Sequence, residues 1–344
     1  TTMGIPAMFA GTILGSFIEM ILSRFIKPLM RVFPPIVTGT VVSLIGVTLI
    51  PVAIDWAAGG AGSPDYGNLQ NLVIAIVVMM IIILLNRYGK GLLSTASVLV
   101  GMVIGYIICI PLGMIDFTEV ANASWFEFPR ILRYGIEFRF AAFVPFIAAY
   151  IVTTIETVGC LKAIGEASGK ELTEEQIGAG ILADGFGSFI AGFFGANANT
   201  SFSQNVGLIP MTKVASKFVV ALSGILLVLL GIFPKLGALI AVMPNPVLGG
   251  AGIVMFGNVA AAGIKTLSRV KLNNRNLLIV AVSLGLGLGV TVRPDFIANL
   301  PGVLKTLFSS GISTGTFVAF ILNLILKEEN RASDLRPEQE NATV

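Results

Sequence analysis

Three acidic residues lie inside long apolar stretches: Glu19, Glu156 and Asp184. An ionisable group at membrane depth is costly to hold and is a functional candidate by default. Glu156 sits in AAYIVTTIETVGCLKAIG, flanked by Thr153, Thr154 and Thr157, and Asp184 sits in AGILADGFGSFIAG among small residues that allow close backbone approach. Neither has a basic residue one helical turn away. Glu19, in GSFIEMILSRF, precedes Arg24 by five residues, which gives it an interfacial or ion-paired role. The run Asn197-Ala198-Asn199-Thr200-Ser201-Phe202-Ser203-Gln204-Asn205-Val206-Gly207 holds seven Asn, Thr, Ser or Gln between two apolar spans. Gly207 and Pro210 interrupt any long helix there, and irregular backbone at membrane depth is tolerated only when buried in protein or lining a cavity. A planar, largely uncharged ligand would use a carboxylate to accept two ring N–H bonds and an amide to donate and accept. Glu156 and Gln204 are that pair, and Phe202 can stack on a ring face.

Other chemistries are excluded or unsupported. The chain has no His, which removes Ser-His-Asp catalysis, zinc–His sites and His-based pH switching. Its two cysteines, Cys109 and Cys160, lie in separate apolar segments and form neither a disulfide framework nor a metal-ligand pattern. No nucleophile–base pair stands out, so an intramembrane enzyme is not the reading, and no cofactor or metal is expected. A net charge of +3 carries no nucleic-acid signal.

The elements that must position these residues are membrane helices. Of 344 residues, 55% are hydrophobic and 12% charged, with a mean hydropathy of +0.90. A soluble domain carries about 25% charged residues, and a polar coat is required to cover its surface. This is a polytopic membrane protein. Spans of about 20 apolar residues fall near 5–23, 33–54, 71–86, 92–113, 140–164, 176–195, 214–232, 238–262, 277–291 and 313–327. The stretch 196–213 is too short and polar for a simple span, 296–308 reads as a half-helix or re-entrant piece, and a polar tail begins near Lys327.

Basic residues in loops favour the cytoplasm. Alternating loops place 16 of the 22 Lys and Arg on one side, among them Arg24, Arg87, Lys162, Lys217, Arg275 and the tail, so the C-terminus is expected to be cytoplasmic. Val32-Phe33-Pro34-Pro35-Ile36-Val37-Thr38-Gly39 is echoed 210 residues later by Val242-Met243-Pro244-Asn245-Pro246-Val247-Leu248-Gly249. By the charge pattern the helices starting at Pro34 and Pro244 run in opposite directions, the mark of an inverted repeat. The same offset carries the 140–164 span back beyond Thr1, so the first repeat is expected to begin before this chain does.

Gln204-Asn205-Val206-Gly207-Leu208-Ile209-Pro210-Met211-Thr212-Lys213 resembles the [Gln/Glu/Pro]-Asn-x-Gly-x-x-x-x-Thr-[Arg/Lys/Gly] signature of the nucleobase–ascorbate transporter (nucleobase:cation symporter-2) family. FPPIVTGTVVSLIGVTLIPVAIDW, ILADGFGS, MPNPVLGGAGIVMFG and LIVAVSLGLGLGV look like its bacterial xanthine and uric acid permeases, so the likeness covers essentially all of 1–327. The resemblance implies an all-α polytopic fold of two inverted seven-span repeats, with core and gate domains and two short intramembrane strands. This chain would lack about the first three spans. Residues 1–31 would be part of the core (about span 4), 32–139 the first part of the gate, 140–233 the second part of the core with the substrate motif, 234–327 the second part of the gate, and 328–344 a cytoplasmic tail.

Carried over residue by residue, the resemblance implies substrate binding by Glu156, Phe202, Ser203, Gln204 and Asn205. Proton coupling would fall to Glu156 and Asp184. Gly207, Thr212 and Lys213 complete the motif and bear on affinity or selectivity. Four residues after Glu156, uracil permeases carry a His pattern and xanthine permeases an Asp pattern, whereas this chain has Cys160. Gln204 favours purines, since uracil permeases usually have Glu there. The expectation is therefore a multi-pass transporter of the cell membrane that imports xanthine or uric acid with a proton by alternating access, lies in the lipid bilayer and forms a homodimer. A uracil or sodium-coupled permease of the same fold, or a non-transporting membrane fragment, are the alternatives.

Overall fold

The computed structural model describes residues 4–25, 34–202, 206, 209, 213–301, 304–305 and 308–326. Among these, regular structure is helical and no strand forms. Helix α1 (Ile5–Leu22) starts after Gly4 at φ 79°, with Pro6 in its first turn. Helix α2 (Pro35–Ala57) follows, then α3 (Leu69–Tyr88), whose Asn68 side chain caps the Gln70 N–H. A one-turn α4 (Leu92–Thr95) leads to α5 (Ser97–Cys109) and the short α6 (Thr118–Asn122). Helix α7 (Phe140–Ser168) is the longest at 29 residues. Helix α8 (Glu174–Phe193) opens with a reciprocal cap between Thr173 and Gln176 and has Glu174 and Glu175 at the positive end of its dipole. Then come α9 (Lys217–Gly231), α10 (Pro234–Ala241), α11 (Asn245–Leu267), α12 (Asn274–Val292), a 3-10 turn (Pro294–Ile297) and α13 (Gly311–Ile325).

Helices α1, α2, α3, α11 and α12 are each long and apolar enough to cross a membrane, and α9 with α10 forms a pair bent by 84°. Large apolar side chains point outward, Phe218 at 75% and Val228 at 69% exposure among them. Water would reject such a surface; lipid accepts it.

Three sequence expectations need correction. The span expected over 238–262 is broken: α10 ends at Ala241 and α11 starts anew after Pro244, which is extended (ψ 136°), has no N–H to bond back along α10, and disfavours helical backbone at Met243 before it. The 92–113 span divides at Ala96 and ends at Cys109. Neither expected intramembrane strand forms among the described residues, where 196–202 is irregular: a strand needs a neighbour to complete its ladder, and no second strand lies beside it there.

Packing falls into two groups. In one, α2 and α11 cross antiparallel along their whole lengths, with α3, α5, α12 and α13 around them. Gly39 meets Leu267 at one end of this crossing and Gly249 meets Ala57 at the other. Gly249 and Leu267 stand 210 residues after Gly39 and Ala57, so the two contacts exchange under the repeat offset. Ile74, Val78, Ile82, Val247 and Ala251 seal one side of the crossing, and Val37, Val41, Ile279 and Ala319 the other. The second group is α1, α7 and α8. Tyr150 lies over Gly15, where a Cβ would occupy the ring's place, and its hydroxyl donates to Thr12 O at 2.8 Å. A Cβ on Gly185 of α8 would sit 3.0 Å from Met20 Cγ and 3.2 Å from Ser16 O, so α1 runs directly against that residue.

Candidate functional site

Thr153, Glu156, Thr157 and Cys160 follow the i, i+3, i+4, i+7 spacing that puts side chains on one helix face. That face of α7 meets the irregular chain after α8. Thr153 Oγ1 donates to Thr200 Oγ1 at 2.5 Å, and Thr200 Oγ1 donates onward to Glu156 Oε2 at 3.5 Å. Thr157 Oγ1 donates to Asp184 Oδ2 at 2.7 Å and lies 2.8 Å from Ser201 Oγ. A threonine hydroxyl has one proton, so with Thr157's directed at Asp184 the Ser201 hydroxyl is the donor in that pair. Two parallel chains result, Thr153 to Thr200 to Glu156 and Ser201 to Thr157 to Asp184, each ending on a carboxylate.

The third anchor comes from α8. Asn199 N–H donates to Ser188 Oγ at 2.9 Å, and Ser188 Oγ returns a longer bond to Asn199 O at 3.4 Å. Consecutive residues 199, 200 and 201 are thus held by α8 and α7: Asn199 through its backbone, which has no helix or sheet partner, and Thr200 and Ser201 through their hydroxyls.

Glu156 is half-buried and accepts only the long Thr200 bond, which leaves carboxylate capacity for a ligand. Asp184 is half-buried and engaged by Thr157. Phe202 is 53% exposed and makes no ring contact among the described residues. Cys160 is buried one turn beyond Glu156, as a free thiol. Lys213 takes φ 55°, rare for a residue with a Cβ, while its N–H closes a turn to Ile209 O at 2.8 Å. Ser203, Gln204, Asn205, Gly207 and Thr212 lie outside the described residues. Among the described residues no group of three or more His, Cys, Asp or Glu could hold a metal.

Glu19 departs from its expected role. It is fully buried, both carboxylate oxygens lack a hydrogen-bond partner, and Arg24 is exposed rather than paired with it. In the sequence Thr153 and Thr157 stand only as polar neighbours of Glu156, and Ser188 carries no mark at all. The helical spacing of Thr153, Glu156 and Thr157 was the available signal for the first two; nothing local marked Ser188.

Residues 1–296 match the Permease family Xan_ur_permease. CPE0397 of Clostridium perfringens, provisionally named a purine permease, is 60% identical over 328 residues, 95% of this chain and 73% of that protein. The uric acid transporter UacT of Escherichia coli is 42% identical over 338 residues, covering 97% and 70% of the two chains. The xanthine permease of Bacillus subtilis is 39% identical over 341 residues, covering 98% and 78%.

Proposed function

The chain belongs to the Permease family, a multi-pass membrane transporter and not an enzyme, and we propose that it imports a purine nucleobase, xanthine or uric acid, by proton symport. One observation carries the reading: Glu156 and Asp184 converge from α7 and α8 on Thr200 and Ser201 at the start of the polar segment, in a chain whose relatives are named for uric acid and xanthine.

In this reading Glu156 accepts the ring N–H groups of the purine. Gln204 reads the opposite edge, Phe202 covers the ring plane, and the Ser203 backbone with Asn205 completes the cradle. Charge-assisted bonds from two N–H groups to one carboxylate give orientation as well as affinity. Glu156 and Asp184 also hold the coupling proton, each steadied by its own hydroxyl chain. Gly207, Thr212, Lys213 and Cys160 shape selectivity around this centre. The division of packing into α1–α7–α8 and the group built on α2 and α11 supports a core moving against a gate. The exchangeable Gly39–Leu267 and Ala57–Gly249 contacts support an inverted repeat. The excess of basic residues on one side supports a cell-membrane protein with a cytoplasmic C-terminus.

The test is uptake of labelled xanthine by cells expressing the full-length protein, with uric acid, uracil and a protonophore as competitors. Uptake blocked by uric acid and by the protonophore but not by uracil is expected, and Glu156→Gln abolishes it while membrane insertion persists. Uptake blocked mainly by uracil overturns the purine assignment, and wild-type uptake by Glu156→Gln overturns the site.

A further inference from the structure

Glu19 is the one fully buried acid described whose carboxylate has no partner. It lies near the C-terminal end of α1, against the contact with α8, where Gly185, next to Asp184, packs on Met20, next to Glu19. The polar groups nearest along α1 do not serve it. Ser16 Oγ, one turn before, donates to Ile13 O at 2.7 Å, and Ser23 Oγ, one turn after, donates to Met20 O at 2.6 Å. With their protons committed, these hydroxyls offer only acceptor lone pairs. From α7, Tyr150 faces α1, and its hydroxyl donates to Thr12 O. Glu156 and Cys160, also on α7, share the helix face with Thr157, which meets Asp184 and the segment at Thr200 and Ser201. Helix α1 carries no other titratable side chain.

A carboxylate in this place is buried with no donor to stabilise its charge, whereas a neutral carboxylic acid carries no charge to desolvate. We propose that Glu19 is a proton-binding site of this transporter, set behind Asp184 and outside the candidate substrate site, and occupied by a proton when α1 is packed as in this structure. Proton uptake forms one O–H bond on a Glu19 oxygen, and release returns the same proton to water or to the Asp184 carboxylate. Two acids across the α1–α8 contact can share protons without both being charged, which couples the substrate side of α8 to the end of α1. This inference rests on the proton-symport reading above, but Glu19 takes no part in holding the purine.

The full-length protein in proteoliposomes separates the two. Exchange of labelled for unlabelled xanthine without a gradient tests the substrate reading alone. Accumulation driven by an imposed pH gradient tests coupling, and the infrared carbonyl stretch of protonated carboxylic acids reports the state of Glu19 directly. Glu19→Gln is expected to keep exchange, to lose gradient-driven accumulation, and to lose one protonated-carboxyl band; Glu19→Asp is expected to restore part of the coupling. Accumulation equal to wild type in Glu19→Gln, or a carbonyl region unchanged by that substitution, overturns the proposal. Should the variants fold poorly, the infrared comparison on the purified fraction that binds xanthine still decides it. Absence of exchange by the wild-type protein overturns the purine assignment instead, and the infrared result then stands by itself for Glu19.

Discussion

Thr157 Oγ1 donates its single proton to Asp184 Oδ2 across 2.7 Å, and so fixes an acid on α8 from the helix that carries Glu156. A hydrogen bond to a charged acceptor contributes about 1.5–3 kcal/mol, more than a neutral one. The same hydroxyl takes Ser201 at 2.8 Å, so one side chain joins both helices to the irregular segment.

Replacing Thr157 with Val keeps the shape and removes this link. Uptake is expected to fall by about tenfold or more, on the order of the 1.4 kcal/mol equivalent of such a bond, and Thr157→Ser should recover most of it. Initial uptake rates of the two variants, normalised to membrane content, check this; equal rates for wild type and Thr157→Val would show that the bond is idle.

Gly185 sets the distance between α1 and α8. Adding a methyl there presses on Met20 and on the Ser16 carbonyl, which is backbone and cannot swing aside. Gly185→Ala is expected to destabilise the protein by about 1–3 kcal/mol as an overpacked contact, and Gly185→Val by more. Thermal unfolding in detergent reads the effect. An unchanged midpoint for Gly185→Val would mean that α1 and α8 are not held this closely.

Arg275 closes the other packing group. Its Nε donates to Leu326 O at 2.7 Å, and one terminal nitrogen donates to both Asn323 O and Oδ1 at 2.9 Å. The guanidinium fork thereby caps the last carbonyls of α13 from the start of α12. Lys offers no such planar fork, so Arg275→Lys is expected to cost about 1–2 kcal/mol and to loosen α13. Faster hydrogen exchange in α13, with little change in α1, is the expected signature.

Asp116, in the loop before α6, accepts from Thr118 N–H at 2.9 Å and from Thr118 Oγ1 at 2.5 Å, and these bonds hold its carboxyl below the ordinary aspartate value of 3.8. A lowered folded value means that the charged form supports the folded loop. Its contribution is fully present above about pH 4 and is lost as pH falls through the lowered value. Hydrogen exchange at Thr118–Asn122 is expected to be steady down to that point and to rise below it. Asp116→Asn should abolish this step while the rest of the chain keeps its pH response.

Much of this architecture is readable from residue order. The apolar runs at 5–23, 71–86, 140–164 and 176–195 became α1, α3, α7 and α8 within a few residues, because membrane helices satisfy their own backbone and need only apolar length. Glu156 and Asp184 stood out because acids are rare in such runs. The break before α11 was written in Pro244 and Pro246 but was overridden by the apolar residues on either side.

What the sequence by itself determined is the membrane character, the helices and the two acids of the candidate site. The rest depended on tertiary structure. Thr157 and Ser201 are separated by 44 residues, and no local rule joins them; α7 and α8 must pack before their hydroxyls can meet. The same packing decided the fate of Glu19. Near Arg24 in the chain, it reads as a surface ion pair. Closing α1 on α7 and α8 through Gly15 and Gly185 instead buries it without a partner. Burial is a property of what packs around a residue, and the helices closed on α1 meet it through Tyr150 at Gly15 and Gly185 at Met20, more than a hundred residues away in sequence.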